Sequence, residues 1–334
     1  MRAAFCTGTG SIDLRSLEPP VPSDNEVLVA VHACGICGSD LHYYVGGDPP
    51  PAVCLGHEIC GRLMTPTEAW PAGTPVVVEP LVPCGGCARC AAGEPNLCPR
   101  VQILGSMRHG GLADTVCVPR QTLYPVPDTL DLDVAVLAEP LAVAVHAVRL
   151  AAIGLGDEVM VLGAGSIGLL TAFVALKAGA RVAISARHAP QRAAAAALGI
   201  PTVVESDDAS VRAAARARRP DVVLETVGGM ADTLELGLRI VRSGGRIVAL
   251  GKFNNPIKLD PLRFLMKEVS LVSSMTYNRK GPQADFTIAL ELLAADPEPL
   301  AALITHRVPL AEVDRAFTLA ADKTSGSIKV AVQI

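Results

Sequence analysis

The segment EVMVLGAGSIGLLTAFVALKAGA, residues 158–180, restricts the fold more than any other stretch of the chain. An apolar run, VMVL, leads directly into GAGSIG and then into an apolar helical pattern. A glycine triplet of this kind says little alone. Between a strand and a helix it has a mechanical meaning. The first glycine makes the turn, the second lets the backbone approach a pyrophosphate, and the third lets helix and strand pack closely. The helix N-terminus then faces the phosphates. Gly163, Gly165, Ser166, Ile167 and Gly168 are therefore the expected dinucleotide contacts. The competing reading is a glycine-rich turn that binds nothing.

The same alternation continues. ARVAISA reads as a strand, PQRAAAAALG as a helix, and DVVLETVG and GGRIVALG as strands. Strands alternating with helices imply a doubly wound parallel sheet, an α/β unit over residues 141–275. Residues 1–140 have a different texture, rich in Pro and Gly with short β-branched runs such as EVLVAVHA and TPVVVEP. They read as an irregular β-rich domain. Residues 276–334 return to a mixed pattern ending in the strand-like IKVAVQI, so the nucleotide-type domain lies between two pieces of one β-rich domain.

The strand ARVAISA also bears on the cofactor. An NAD site usually ends this strand in an acid that binds the adenosine ribose hydroxyls. Ala186 stands there instead, with Ser185 before it offering a hydroxyl to the cofactor and Arg187 and Arg192 after it. Losing the carboxylate removes repulsion toward a 2′-phosphate, and guanidinium groups bind one well. NADP is expected in preference to NAD. The plainer reading of both arginines is surface charge.

Four cysteines fall within fifteen residues, at Cys84, Cys87, Cys90 and Cys98. Four thiolates at this spacing suit a tetrahedral structural zinc with no open position. Disulfides, an iron–sulfur cluster and unrelated loop thiols are the alternatives. Cys6, Cys34, Cys54, Cys60 and Cys117 lack metal spacing and read as small buried apolar residues. The start of the chain has no signal-peptide layout and no apolar run spans a bilayer, so a cytoplasmic protein away from membranes is expected. A net charge of −4 gives no basic footprint for nucleic acid. Arg212, Arg216, Arg218 and Arg219 read as the solvated face of a helix.

GICGSDLHYY supplies Cys37, Ser39, Asp40, His42 and Tyr43; GHEICG supplies His57 and Glu58; AEPLAVAVHA supplies Glu139. Cysteine, histidine and carboxylate form the mixed ligand set of a catalytic zinc with an open position. Singly, each is more often an ordinary buried or surface residue.

Taken with the cysteine run, GAGSIG and the late DKTSGSIKV, these segments resemble the zinc-containing medium-chain dehydrogenases/reductases, in particular the polyol dehydrogenase branch. The resemblance covers nearly the whole chain. It implies a GroES-like catalytic domain and a Rossmann domain. Cys37, His57 and Glu58 match that branch's catalytic zinc ligands, and Glu139 its further carboxylate, which binds the metal directly or through water and also faces substrate. Asp40 matches the carboxylate that orients the histidine ligand, Ser39 the hydroxyl that takes the substrate proton, His42 the group that passes it on, and Tyr43 a wall of the pocket. The implied reaction oxidises a secondary hydroxyl of a polyol or sugar acid to a ketone, in a homodimer or homotetramer. Two features depart from the branch. Thr276 stands where it tends to carry an arginine, and Gly73-Thr74-Pro75 replaces its Gly-Asp-Arg turn. A sugar-acid carboxylate would need a cation, and Arg108 and Lys252 are candidates by position only, with surface charge or cofactor contact the heavier reading.

Overall fold

The computed structural model describes all 334 residues except Gly47 and Lys323, so Lys323 of the DKTSGSIKV segment lies outside the described residues. The chain divides into two compact units, Met1–Glu139 with Asn278–Ile334, and Pro140–Tyr277.

The first unit is built on a mixed sheet. Its strands follow the order Ile304–Pro309, Lys329–Gln333, Glu26–Gly35, Glu58–Leu63, Pro75–Val78 and Leu123–Pro125, with Thr115–Pro119 also pairing onto Glu26–Gly35. Along Glu26–Gly35 buried positions alternate with less buried ones until Ala33, after which every residue is buried. Val27, Val29, Val31 and Cys34 pack with Leu55, Ile59, Val76, Val78 and Phe317. Period-two alternation of this kind puts one face of the strand in the core. The register sets Gly35 opposite both Glu58 and Ala331. Two strands from the last sixty residues thus complete a sheet begun near residue 26.

The second unit carries a six-stranded parallel sheet. In chain order its elements are β1 (Glu158–Leu162), α1 (Ser166–Lys177), β2 (Arg181–Ala186), α2 (Ala189–Ala197), β3 (Thr202–Glu205), α3 (Asp208–Arg218), β4 (Val222–Glu225), α4 (Thr233–Ile240), β5 (Arg246–Ala249), α5 (Pro261–Lys267) and β6 (Ser270–Ser273). The spatial order is β3-β2-β1-β4-β5-β6, every pair parallel. The order reverses at β1, so the crevice beyond its carboxyl end is where a doubly wound sheet takes its ligand. Gly163 begins there. β6 is an edge strand, and next to it α5 exposes Leu262, Leu265 and Met266.

Candidate active site and metal centres

Strand Glu26–Gly35 runs on through Ile36 to Cys37, which caps the helix Gly38–Tyr44. The Asp40 carboxylate accepts the Cys37 backbone N–H at 2.9 Å, satisfying a donor that a helix start otherwise leaves open. This cap fixes Cys37 at the mouth of the helix and buries Asp40. Ser39 is left exposed, with His42 and Tyr43 half-buried. Ser39 and His42 are three residues apart on one helix face. The hydroxyls of Tyr43 and Ser106 lie 3.0 Å apart.

Glu58 opens the strand opposite. Glycine is needed at position 35 because a Cβ there would lie 1.9 Å from Glu58 Oε2. The register brings one ligand atom each from Cys37, His57 and Glu58 within 4.8 Å of one another. One zinc ion with ligands at about 2.0–2.3 Å can draw such a set together. His57 Nδ1 lies 3.7 Å from Asp40 Oδ1, an ion-pair separation too long for a hydrogen bond. Burial lowers the proton affinity of His57, but the charges of Asp40, Cys37 and Glu139 outweigh it and the pKa is raised. Burial likewise raises the Asp40 pKa, with His57 opposing. Glu139 is therefore close enough to act on His57, and it also acts on Lys329. It is outside the cluster of ligand atoms drawn from the described residues.

Lys329 carries no signal in the sequence, where it resembles any strand lysine. It is 2% exposed, and its Nζ donates to Glu58 Oε1 at 2.5 Å, Oε2 at 2.6 Å and the Ile36 carbonyl at 3.0 Å. Both Glu58 oxygens thus have a cationic partner before any metal is considered. Burial lowers the Lys329 pKa, but Glu58, with Cys37 and Glu139, outweighs it and the pKa is raised.

The cysteine run forms a separate centre. Sγ–Sγ separations are 3.5 Å for Cys87–Cys90, 3.8 Å for Cys87–Cys98 and 4.0 Å for Cys84–Cys90. A tetrahedron with Zn–S of about 2.3 Å has edges of about 3.8 Å, so the four thiols fit one zinc. The lobe is fastened to a distant segment. The Gly93 carbonyl accepts from Arg279 N at 2.8 Å, and Glu94 pairs with both Arg89 and Lys280. Arg279 itself reaches the buried Glu79 at 2.5 Å.

At the glycine turn Gly163 has φ +99, which a side chain would strain, and a Cβ on Gly168 would lie 2.1 Å from the Gly163 carbonyl. Gly165 differs: a Cβ there would meet nothing within 4 Å. Its missing side chain leaves space in front of the N-terminus of α1, where a dinucleotide's phosphates fit. The Ser185 hydroxyl accepts from Gly163 N at 3.0 Å and is buried, so it shapes the turn. Arg192 bonds the Arg187 carbonyl at 3.1 Å and Glu205 at 3.2 Å. Arg187 is exposed beyond the buried Ala186.

Residues 23–128 match the model of the alcohol dehydrogenase GroES-like domain, and residues 166–295 that of the zinc-binding dehydrogenase. The chain belongs to the zinc-containing medium-chain dehydrogenases. It is 31% identical to L-galactonate-5-dehydrogenase of Escherichia coli over 95% of this chain and 94% of that protein. The crystal structure of L-idonate 5-dehydrogenase from E. coli superposes with a TM-score of 0.90 at 26% identity, covering 100% of this chain and 98% of that one. Among solved members of the same fold, one is complexed with NADH and another is bound to NADP. The chain is thus a zinc-type dehydrogenase of a family whose members use NAD(P).

Of the other residues singled out in the sequence, Cys6, Cys34, Cys54 and Cys60 are buried, while Cys117 is only partly so. Arg108 pairs with Glu26, an engagement that position in the chain did not reveal. No helix among the described residues is long and apolar enough to cross a membrane.

Proposed function

We propose that the chain oxidises a secondary hydroxyl of a sugar acid to the ketone, as an L-idonate 5-dehydrogenase-like enzyme preferring NADP to NAD. The convergence of Cys37, His57 and Glu58 beside the exposed Ser39 carries this reading. Cys37, His57 and Glu58 would hold a catalytic zinc with Glu139 nearby, and Cys84, Cys87, Cys90 and Cys98 a structural one. Bound zinc would lower the pKa of the substrate hydroxyl, and bound nicotinamide would supply the hydride acceptor. Ser39 takes the hydroxyl proton and His42, one turn on, passes it to solvent. Asp40 holds Cys37 and faces His57, so it positions both. Tyr43, braced by Ser106, lines the pocket.

Gly163, Gly165, Ser166, Ile167 and Gly168 cradle the pyrophosphate, with Ser185 holding the turn. Arg187 and Arg192 favour a 2′-phosphate where no carboxylate ends β2. The relative's name, a dehydrogenase acting at position 5 of a galactonate, supports the sugar-acid class. A neutral polyol such as sorbitol, or 2,3-butanediol, is the second reading, favoured by the pairing of Arg108 with Glu26. The edge strand β6, together with exposed Leu265 (70%) and Met266 (74%) of α5, supports a homodimer or homotetramer. Ten cysteines without a disulfide support a cytoplasmic setting.

The test is a kinetic screen of L-idonate, L-galactonate, gluconate, sorbitol, xylitol and 2,3-butanediol with each cofactor. A kcat/KM highest for an aldonate with NADP is expected. A polyol or diol preference would select the second reading, and turnover of none would defeat both.

A further inference from the structure

The arginine cluster near residue 216 is more than one helix's solvated face. Arg212, Arg216 and Arg219 from α3 and its end, Arg239 from α4, Arg242 beyond it, and Arg263 and Lys267 from α5 line an open groove of about 590 Å³. No carboxylate is among the lining residues. Asp208, Glu235, Asp221 and Asp260 pair with Arg212, Arg239, Arg242 and Arg263 and are not themselves among the lining residues. Seven cations less four paired carboxylates leaves an excess of three positive charges. Arg216 and Arg219 are exposed. The Arg212 Nε–H is buried with no hydrogen-bond partner, an arrangement that is costly unless an acceptor arrives. Lys267 donates to the carbonyls of Leu238, Arg239 and Val241, and its pKa is lowered first by burial and then by Arg263.

We propose that this groove is a second anion site that takes an oligophosphate of three or more linked phosphates. Guanidinium groups converging from three helices offer paired donors to successive phosphate groups, and the volume falls within the usual range for small-molecule pockets. It is not the glycine cradle. Arg219, Arg242 and Lys267 directly precede β4, β5 and β6, at the opposite end of the parallel strands from Gly163. Strands of four to five residues put about 15 Å between the two ends.

The test is titration calorimetry of the zinc-loaded protein with inorganic tripolyphosphate in saturating NADP. One site per chain is expected, with affinity falling as salt rises. Arg216→Gln/Arg219→Gln should weaken it about tenfold, the loss of one or two charged contacts, and leave NADP binding unchanged. Arg219→Gln alone, at an exposed position, serves if the double variant folds poorly. Adenosine triphosphate in the same titration separates the sources, since equal affinity assigns the site to the phosphate chain and tighter binding to a nucleotide. Binding no stronger than orthophosphate, loss of the site on adding NADP, or affinity unchanged in the variants would overturn the proposal.

Discussion

The Lys329 ammonium lies 2.5 Å from Glu58 Oε1 and 2.6 Å from Oε2, joining residues 271 positions apart in a buried pair. Glu58 is also a candidate zinc ligand, so with a metal bound one carboxylate would serve two cations. Lys329→Met should lower stability by about 3–5 kcal/mol, because an uncompensated buried carboxylate remains. The loss should be larger after chelation than with zinc present, since a metal would take up part of that charge. Urea unfolding of both forms measures this, and an unchanged midpoint in the chelated protein would show the pair to be inert.

Gly35→Ala tests the register from the other side. A Cβ would lie 1.9 Å from Glu58 Oε2 and 3.1 Å from Glu58 Cβ, so the side chain has to move as a whole. A cost of about 1–3 kcal/mol is expected, with zinc content falling toward one ion per chain while the cysteine site stays filled. Two ions retained at full affinity would mean that Glu58 adapts without loss.

The two metal centres should separate by substitution. Cys37→Ala is expected to abolish turnover and leave the melting temperature nearly unchanged. Cys87→Ala should lower stability, because a thiolate is removed from a lobe with little core of its own. Thermal melts and metal analysis read both. Equal loss of stability from the two would contradict a division between catalysis and structure.

Arg187 is the exposed cation that follows β2. Arg187→Ser should raise KM for NADP about tenfold, the value of one charged contact, and hardly alter KM for NAD. If both cofactors shift together, Arg187 does not read the 2′-phosphate.

Asp114 gives the acid response a definite sign. The side-chain hydrogen bond from Arg2 holds its carboxyl below the ordinary value of 3.8. Its stabilising contribution is therefore present above that value and fades as pH falls through the lower folded one. Asp114→Asn should melt below the parent protein at pH 7, with the gap narrowing as pH falls below 3.8. A gap that widens on acidification would reverse the assignment.

Features encoded within a few residues could be read directly. GAGSIG lies between strand and helix, and the cysteine run carries its ligand spacing in fifteen residues. Features made by distant segments could not. Lys329 looks like any lysine in a closing strand until the register sets that strand beside Gly35 and Glu58. Ser185 suggested a hydroxyl offered to the cofactor, yet the parallel pairing of β1 and β2 directs it to Gly163 N. The arginines of α3 looked solvated because their companions arrive from α4 and α5. Gly35 gave no turn signal, since its role is to leave room for a carboxylate rather than to bend the chain.

The sheet of the first unit draws strands from residues 26–125 and from residues 304–333. On a ribosome the early strands emerge long before their partners. Glu58 waits for Lys329, and Glu79 and the cysteine lobe wait for Arg279 and Lys280. The parallel sheet between them depends on no later segment and can form first. Synthesis therefore passes through an interval in which the nucleotide-binding unit can fold while the sheet that carries the candidate metal ligands still lacks its last two strands. A chain stalled in that interval exposes its unpaired strands to aggregation and its thiols to oxidation.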